Sequence, residues 1–212
     1  MASSARRRKI AILGSRSVGK SSLVKQFIEN QFIDSYYPTI EVAYVKSIVY
    51  KGNEYVLEIF DTAGQDEYTP INSQHAIGIH GYVLVYSIAS KISFEMIQII
   101  HEKIIDFSGL TDIPCVIVGS KSDLESSRQV NASEVQQLAQ TLKAGWIEAS
   151  AKNDVNVGEG DFLVSPAAPT SHSPLPLAFW LAKAFQLCVQ EIEKRLNPSN
   201  QQEVKTGRCI MM

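Results

Sequence analysis

No apolar run in this chain reaches the ~18–20 residues needed to cross a bilayer, so no spanning helix is expected. Basic residues precede a short apolar run at the N-terminus, but that run ends at Gly14. A secretory signal would need ~7–15 apolar residues and a small-residue cleavage site. Cysteine is scarce: Cys115, Cys188 and Cys209 are an odd set without zinc-ligand spacing. They give no disulfide framework and fit a reducing compartment. Cys115, in the run Ile-Pro-Cys-Val-Ile-Val-Gly, reads as a buried small hydrophobe. A large excess of charge is missing too. The formal net charge is −2, so no global basic field attracts a nucleic-acid polymer. No internal repeat is visible, and a monomer is expected.

What is present is ordinary globular material. The 212 residues are 45% hydrophobic and 20% charged, enough for a real core in one large domain or at most two small ones. Residues 9–13, 42–50, 54–60, 81–88, 115–119 and 145–150 read as strands. Residues 20–30, 91–107, 131–143 and 183–196 carry helical periodicity, with Asn131 and Glu134 spaced as a capping box. Lys51-Gly52-Asn53 separates two β-rich runs and signals a hairpin. Alternating strands and helices imply an α/β sheet, mostly parallel, with one antiparallel strand. Ligands of such sheets sit at the carboxyl ends of the strands, so the loops there should carry the chemistry.

The first of those loops is Gly14-Ser15-Arg16-Ser17-Val18-Gly19-Lys20-Ser21, which fits G-x-x-x-x-G-K-[ST]. Its glycines let backbone N–H groups turn toward phosphate oxygens. Lys20 would reach the β/γ-phosphates and the Ser21 hydroxyl would ligate Mg²⁺. Ser17, Val18, Gly19 and Ser22 complete the expected contact loop, at the positive end of a helix. After the third strand comes Asp61-Thr62-Ala63-Gly64-Gln65. Asp61 can hold a water on Mg²⁺, Gly64 can bring its N–H to a γ-phosphate, and Gln65 is placed to orient an attacking water.

These segments, with Asp-Ser-Tyr-Tyr-Pro-Thr-Ile-Glu, Gly-Tyr-Val-Leu-Val-Tyr-Ser-Ile and Ser-Ala-Lys in order, resemble the Ras superfamily of small GTPases, and within it the Rheb branch. The resemblance covers residues 9 to about 157 and resumes near 182. It implies a P-loop NTPase fold, a Ras-like G domain whose six-stranded mixed sheet is flanked by five helices. It implies GTP and GDP as substrate and product, with Mg²⁺ as cofactor. Thr39 is then the switch threonine that binds Mg²⁺ and senses the γ-phosphate, and Lys20, Thr39 and Gln65 form the catalytic set. Tyr36, Tyr37 and Pro38 sit where the first switch covers the nucleotide, and residues 61–77 look like the second switch. Ser150, Ala151 and Lys152 resemble the loop whose backbone contacts the guanine oxygen. The resemblance further implies activation of the target-of-rapamycin kinase complex in growth and nutrient control, and a GTPase-activating protein that ends the signal. A general Ras-type regulator, or a nucleotide-binding module with little catalysis, are the alternatives.

Two departures qualify the match. The family's Asn-Lys-x-Asp is here Ser120-Lys121-Ser122-Asp123. Asp123 can still accept hydrogen bonds from guanine, which adenine cannot supply, and Lys121 would lie along the base. Serine removes an amide donor, so nucleotide affinity should fall by ~1–2 kcal/mol. Arg16 stands where most relatives have Gly. Either it crowds Gln65 and slows hydrolysis, or it points to solvent.

The sequence ends Cys209-Ile210-Met211-Met212, a C-a-a-X pattern whose Met favours farnesyl. Modification of Cys209 by a prenyltransferase is expected. One lipid gives marginal, reversible binding, so internal membranes and a cytosolic pool are expected. Arg6, Arg7, Arg8 and Lys9 form a basic cluster, read as a solvated terminus or, more sharply, a lipid or phosphate contact.

Four of the eight prolines fall between Pro166 and Pro176. Relatives run from Ser-Ala-Lys through four residues to Val, then three more to a Phe on the last helix. Val157 is on schedule and Phe185 is not. Removing the 24 residues from Gly158 to Leu181, which contain no Lys or Arg, restores the spacing. The domain is therefore read as 9–196 interrupted by 158–181, followed by a tail, 197–212. The segment is a functional loop, a neutral insertion, or a translated intron. For the last, Gly-Glu can be encoded G|GT-GAG and Phe-Trp-Leu-Ala as TTT-TGG-CTA-G|CN, with the frame kept. If translated, its prolines exclude helix interior, and exposed Phe162, Phe179 and Trp180 would invite a partner or aggregation.

Overall fold

The computed structural model describes residues 5–35, 37–72, 77–157 and 183–196. Tyr36, part of the second switch (73–76), the segment 158–181 with Phe162, Phe179 and Trp180, and the tail with Cys209 lie outside the described residues.

The apolar stretches become the strands β1 (Arg6–Gly14), β2 (Val42–Tyr50), β3 (Asn53–Asp61), β4 (Gly81–Ser87), β5 (Cys115–Ser120) and β6 (Gly145–Glu148). They form one sheet in the order β2-β3-β1-β4-β5-β6. Only β2 and β3 run antiparallel among these neighbours. Their turn is closed by Lys51 and Gly52, both at positive φ (48° and 74°). That geometry matches the right-handed twist of a two-residue hairpin.

The helices are α1 (Lys20–Glu29), α2 (Lys91–Ser108), α3 (Ala132–Thr141) and α4 (Lys183–Leu196). The capping box of Asn131 and Glu134 forms as the spacing requires. Four α-helices are thus found among the described residues, where the resemblance implies five. The polar stretch after β3 makes no helix: the Asp66 carboxylate accepts the N–H groups of Tyr68 and Thr69 (3.1 and 2.8 Å) and the Thr69 hydroxyl (2.7 Å). Such side-chain bonds offer the backbone an alternative to helical pairing, and Pro70 follows at once.

Each face of the sheet is covered. One core gathers Ile10, Ile12, Val24, Phe27, Val83, Phe185, Val189 and Ile192; the other gathers Leu13, Leu84, Tyr86, Ile97, Ile100, Ile117 and Val135. Helix α4 seals the first core. Phe185 stacks on Phe27 with centroids 4.1 Å apart, and Cys188 is fully buried. Cys115 is fully buried in the second core, and burial pushes its thiol up to about 12, so it is inert at neutral pH.

The basic cluster is not a free terminus. Arg8 donates to Glu193 of α4 at 3.0 and 2.6 Å, and Arg6 reaches the same carboxylate at 3.2 Å. Arg6 also donates to the Tyr55 hydroxyl at 3.1 Å. The strand extends three residues earlier than its apolar pattern because these pairings hold it on β3 and α4.

Candidate functional site

The loop after β1 and the loops after β3, β5 and β6 converge at the carboxyl end of the sheet, on a cavity of about 350 Å³. Its lining includes Arg16, Ser17, Gly19, Lys20, Ser21, Ser22, Thr39, Gly64, Ser120, Lys121, Asp123, Ala151 and Lys152. Five cations, Arg16, Lys20, Lys25, Lys121 and Lys152, face two carboxylates, Asp34 and Asp123, so the cavity favours a polyanion.

Gly19 caps α1 at φ 98°, a left-handed conformation that only glycine adopts without strain. It lets α1 begin on the cavity with its N–H groups forward. Lys20 folds back over the loop, its ammonium donating to the carbonyls of Gly14 and Ser15, both at 2.9 Å. Burial lowers its pKa to about 8, against the attraction of Asp61.

The Ser21 and Thr39 hydroxyls share a hydrogen bond of 2.8 Å. Asp61 lies beside them, 2% exposed, with its Oδ1 lacking any hydrogen-bond partner. Burial raises its pKa, while a hydrogen bond from Ser21 and the Lys20 charge oppose the rise. Two hydroxyls beside a buried, under-satisfied carboxylate form an all-oxygen donor set, which suits a hard divalent cation such as Mg²⁺.

At the other end of the cavity the Asp123 carboxylate accepts from the Ser150 hydroxyl at 2.5 Å. Ser150 is fully buried and outside the lining, so it holds Asp123 rather than facing the cavity. Ser120 is 2% exposed; its hydroxyl meets two carbonyls, Val18 in the phosphate loop and Tyr86 at 2.8 Å. A hydroxyl carries one proton, so it satisfies one acceptor fully and the other at most in part. Val18 and Pro38 lie outside the lining, Val18 as a core side chain.

The stretch after β3 is fastened to the phosphate loop. Gln65 N–H donates to the Gly14 carbonyl at 2.9 Å. A Cβ on Gly64 would lie 2.6 Å from the Arg16 Cα, so only glycine permits this approach. The Gln65 side chain is buried, is absent from the lining, and its Nε2 donates weakly to the Ala63 carbonyl at 3.4 Å. Arg16 borders the cavity and reaches Asp66 at 3.6 Å while staying mostly exposed. It bridges two loops, between the crowding and solvent alternatives.

Sequence reasoning missed Phe32 and Leu124 in the cavity wall and Lys25 and Asp34 at its rim. Phe32 has one available signal, an aromatic in the polar stretch after α1.

A phosphate loop of this form, on a sheet of this order, with a cationic cavity at the carboxyl ends of the strands, defines a P-loop nucleotide-binding protein. Comparison with known proteins narrows the class. The Ras family model matches residues 9–164. The chain is 52% identical over 192 residues to GTP-binding protein rhb1 of Schizosaccharomyces pombe, covering 91% of each. It is 46% identical over 213 residues to small monomeric GTPase RhbA of Aspergillus fumigatus, covering 100% of each. With GTP-binding protein Rheb of Homo sapiens it shares 51% over 147 residues, 69% of this chain and 80% of that one. The chain belongs to the Ras family of small GTPases. Within it, this is a Rheb-like enzyme that binds guanine nucleotides and hydrolyses GTP.

Proposed function

We propose that the cavity holds GDP or GTP with Mg²⁺, and that the GTP-bound form is the signalling state. The observation that carries this reading is the convergence of Lys20, Ser21, Thr39 and Asp61 at the start of α1. Phosphate oxygens would replace the Gly14 and Ser15 carbonyls as partners of Lys20. Ser17, Val18, Gly19 and Ser22 supply backbone N–H groups or hydroxyls to the same phosphates. Mg²⁺ would be held by the Ser21 and Thr39 hydroxyls, and through water by Asp61, where it neutralises phosphate charge. Thr39 and Gly64 answer to the γ-phosphate and set both switches.

Asp123, held by Ser150, takes the guanine N–H groups, while Lys121, Ala151 and Lys152 border the base. Phe32 offers a flat apolar face against which a base can stack. Tyr36 and Pro38 belong to the covering switch. Gln65 orients the attacking water after turning out of its buried position, a step that fits a slow intrinsic rate.

The Rheb-like sequence supports the target-of-rapamycin kinase complex as the effector, with a GTPase-activating protein as the off-signal. Tyr37, Ile40 and Tyr68 are exposed beside the switches, an apolar surface suited to such partners. Farnesylation at Cys209 would place the chain on the cytoplasmic face of internal membranes, with a cytosolic pool.

Residues 158–181 are best read as inserted into this domain. Ala184 N–H donates to the Asn156 carbonyl at 3.4 Å. With 158–181 removed, Ala184 becomes the fourth residue after Asn156, the spacing of an α-helical hydrogen bond. The flanks thus lie where one continuous helix start would put them, which supports the boundaries drawn from spacing. Sequencing the gene at codons 158–182 separates intron from loop: a Gly158 codon other than GGT excludes a splice donor there.

The nucleotide assignment is tested by titrating the purified chain with labelled GDP and ADP, with Mg²⁺ and with chelator. Mg²⁺-dependent GDP binding without ADP binding is expected. Equal binding of the two nucleotides would overturn it.

A further inference from the structure

Of the five cations that face the cavity, four stand in its loops: Arg16 and Lys20 after β1, Lys121 after β5 and Lys152 after β6. The fifth, Lys25, comes from the body of α1 and from no motif. It follows Ser21 by four residues, so the two side chains lie on the same face of the helix, one turn apart. Both line the cavity. The Lys25 side chain is half-buried, and among the described residues no hydrogen bond or ion pair engages its ammonium. An ammonium without a carboxylate at contact leaves its charge to act on the groups around it.

Asp61 is one of those groups. The charges of Lys20 and Lys25 both oppose the rise that burial imposes on the Asp61 carboxyl. Asp61 is almost fully buried, so salt and water screen this interaction only in part. The two lysines are placed differently, however. Lys20 is tied to the Gly14 and Ser15 carbonyls of the phosphate loop. Lys25 stands about 6 Å further along the helix axis than Ser21, away from the helix start where phosphate would sit. Its charge therefore bears on the oxygen set of Ser21 and Asp61 more than on the loop.

A positive charge that favours the Asp61 anion disfavours, by the same field, a second cation placed on that anion. An ammonium has three donors and no acceptor, so Lys25 cannot help to ligate the ion it repels. Ion and nucleotide bound side by side support each other's affinity, so loosening one loosens the other.

We infer that Lys25 competes with Mg²⁺ for the field of Asp61, weakening the hold of the site on the ion and thereby quickening GDP release. The inference rests on the Mg²⁺ reading above. Lys25 is thus a positioning residue for nucleotide exchange, acting through Asp61.

The test is release of fluorescent GDP from the preloaded full-length chain into excess unlabelled GDP, over a series of free Mg²⁺ concentrations that begins with chelator. Wild type, Lys25→Met and Lys25→Arg are compared. The Mg²⁺ concentration that slows release half-maximally should fall roughly fivefold or more in Lys25→Met, and stay within about twofold of wild type in Lys25→Arg, which keeps the charge. In chelator, Lys25→Met and wild type should release GDP at rates within about twofold of each other. An unchanged Mg²⁺ midpoint in Lys25→Met overturns the inference. Release that quickens in Lys25→Met in chelator and in Mg²⁺ alike also overturns it, and assigns the ammonium to phosphate. Lys25→Arg behaving as Lys25→Met would trace the change to side-chain shape rather than charge, and overturns it as well. Wild-type release that does not respond to Mg²⁺ overturns the cation-site reading itself, and the inference falls with it.

Discussion

Ser21 and Thr39, 18 residues apart in sequence, hold each other's hydroxyls at 2.8 Å across the mouth of the cavity. One comes from the first turn of α1, where the phosphate loop ends, the other from the loop before β2. They meet beside the Asp61 carboxylate, whose Oδ1 has no hydrogen-bond partner, so the loop before β2 is brought onto the start of α1. If these oxygens hold Mg²⁺, Ser21→Ala should release GDP at least about tenfold faster, the equivalent of ~1.4 kcal/mol. Chelation should accelerate release from wild type but not further from the variant. Stopped-flow release of a fluorescent GDP measures both.

Lys20 makes affinity depend on pH. Burial brings its ammonium down to about 8 in the ligand-free site. Below that pH it is charged and ready for phosphate. Above it the amine is neutral, and binding must recapture a proton. GDP affinity should therefore be flat below pH 8 and fall by about tenfold per pH unit above it. Isothermal titration across pH 7 to 10 reads this directly, and Lys20→Met should weaken binding and flatten the slope.

Ser120 has one proton for the Val18 and Tyr86 carbonyls. An asparagine amide has two. Ser120→Asn should tighten GDP by ~1–2 kcal/mol, and Ser120→Ala, which takes the hydroxyl away from both carbonyls, should weaken it by ~1–3 kcal/mol. Unchanged affinity in the Asn variant would show that the missing amide donor does not matter.

Deleting residues 158–181 should leave the domain intact. The hydrogen bond from Ala184 to Asn156, the Phe185 stack on Phe27 and the Arg8 pairing with Glu193 all lie outside the deleted stretch. Thermal unfolding and GDP binding of the deletion variant should match or exceed those of the full chain. Failure to fold would show that the segment is part of the domain.

These cases also show where the sequence was informative. The phosphate loop was legible because its chemistry needs Gly, Lys and Ser at fixed spacing, and one loop supplies them all. The hairpin at Lys51-Gly52 and the cap at Asn131 were legible because local backbone geometry dictates them. The reach of Lys103 was not, since it donates to the carbonyls of Asp66, Glu67 and Thr69, which lie 34 to 37 residues away and, as backbone groups, leave no mark on residue type. The Ser150 side chain holds Asp123 from another loop, a contact between residues 27 apart that leaves no mark on spacing. Arg6 and Arg8 looked like a loose basic end because Glu193 stands some 185 residues away. That no helix forms over the described residues just after β3 reflects Asp66, whose carboxylate takes the N–H groups of Tyr68 and Thr69.

The most direct test of the whole account is single-turnover hydrolysis by the full chain loaded with GTP, followed by nucleotide chromatography. With Mg²⁺ present, bound GTP should convert slowly to GDP, Asp61→Ala should impair that conversion, and ATP should not load. GTP that stays intact on a folded, Mg²⁺-loaded chain would contradict it and leave a nucleotide-binding module without catalysis.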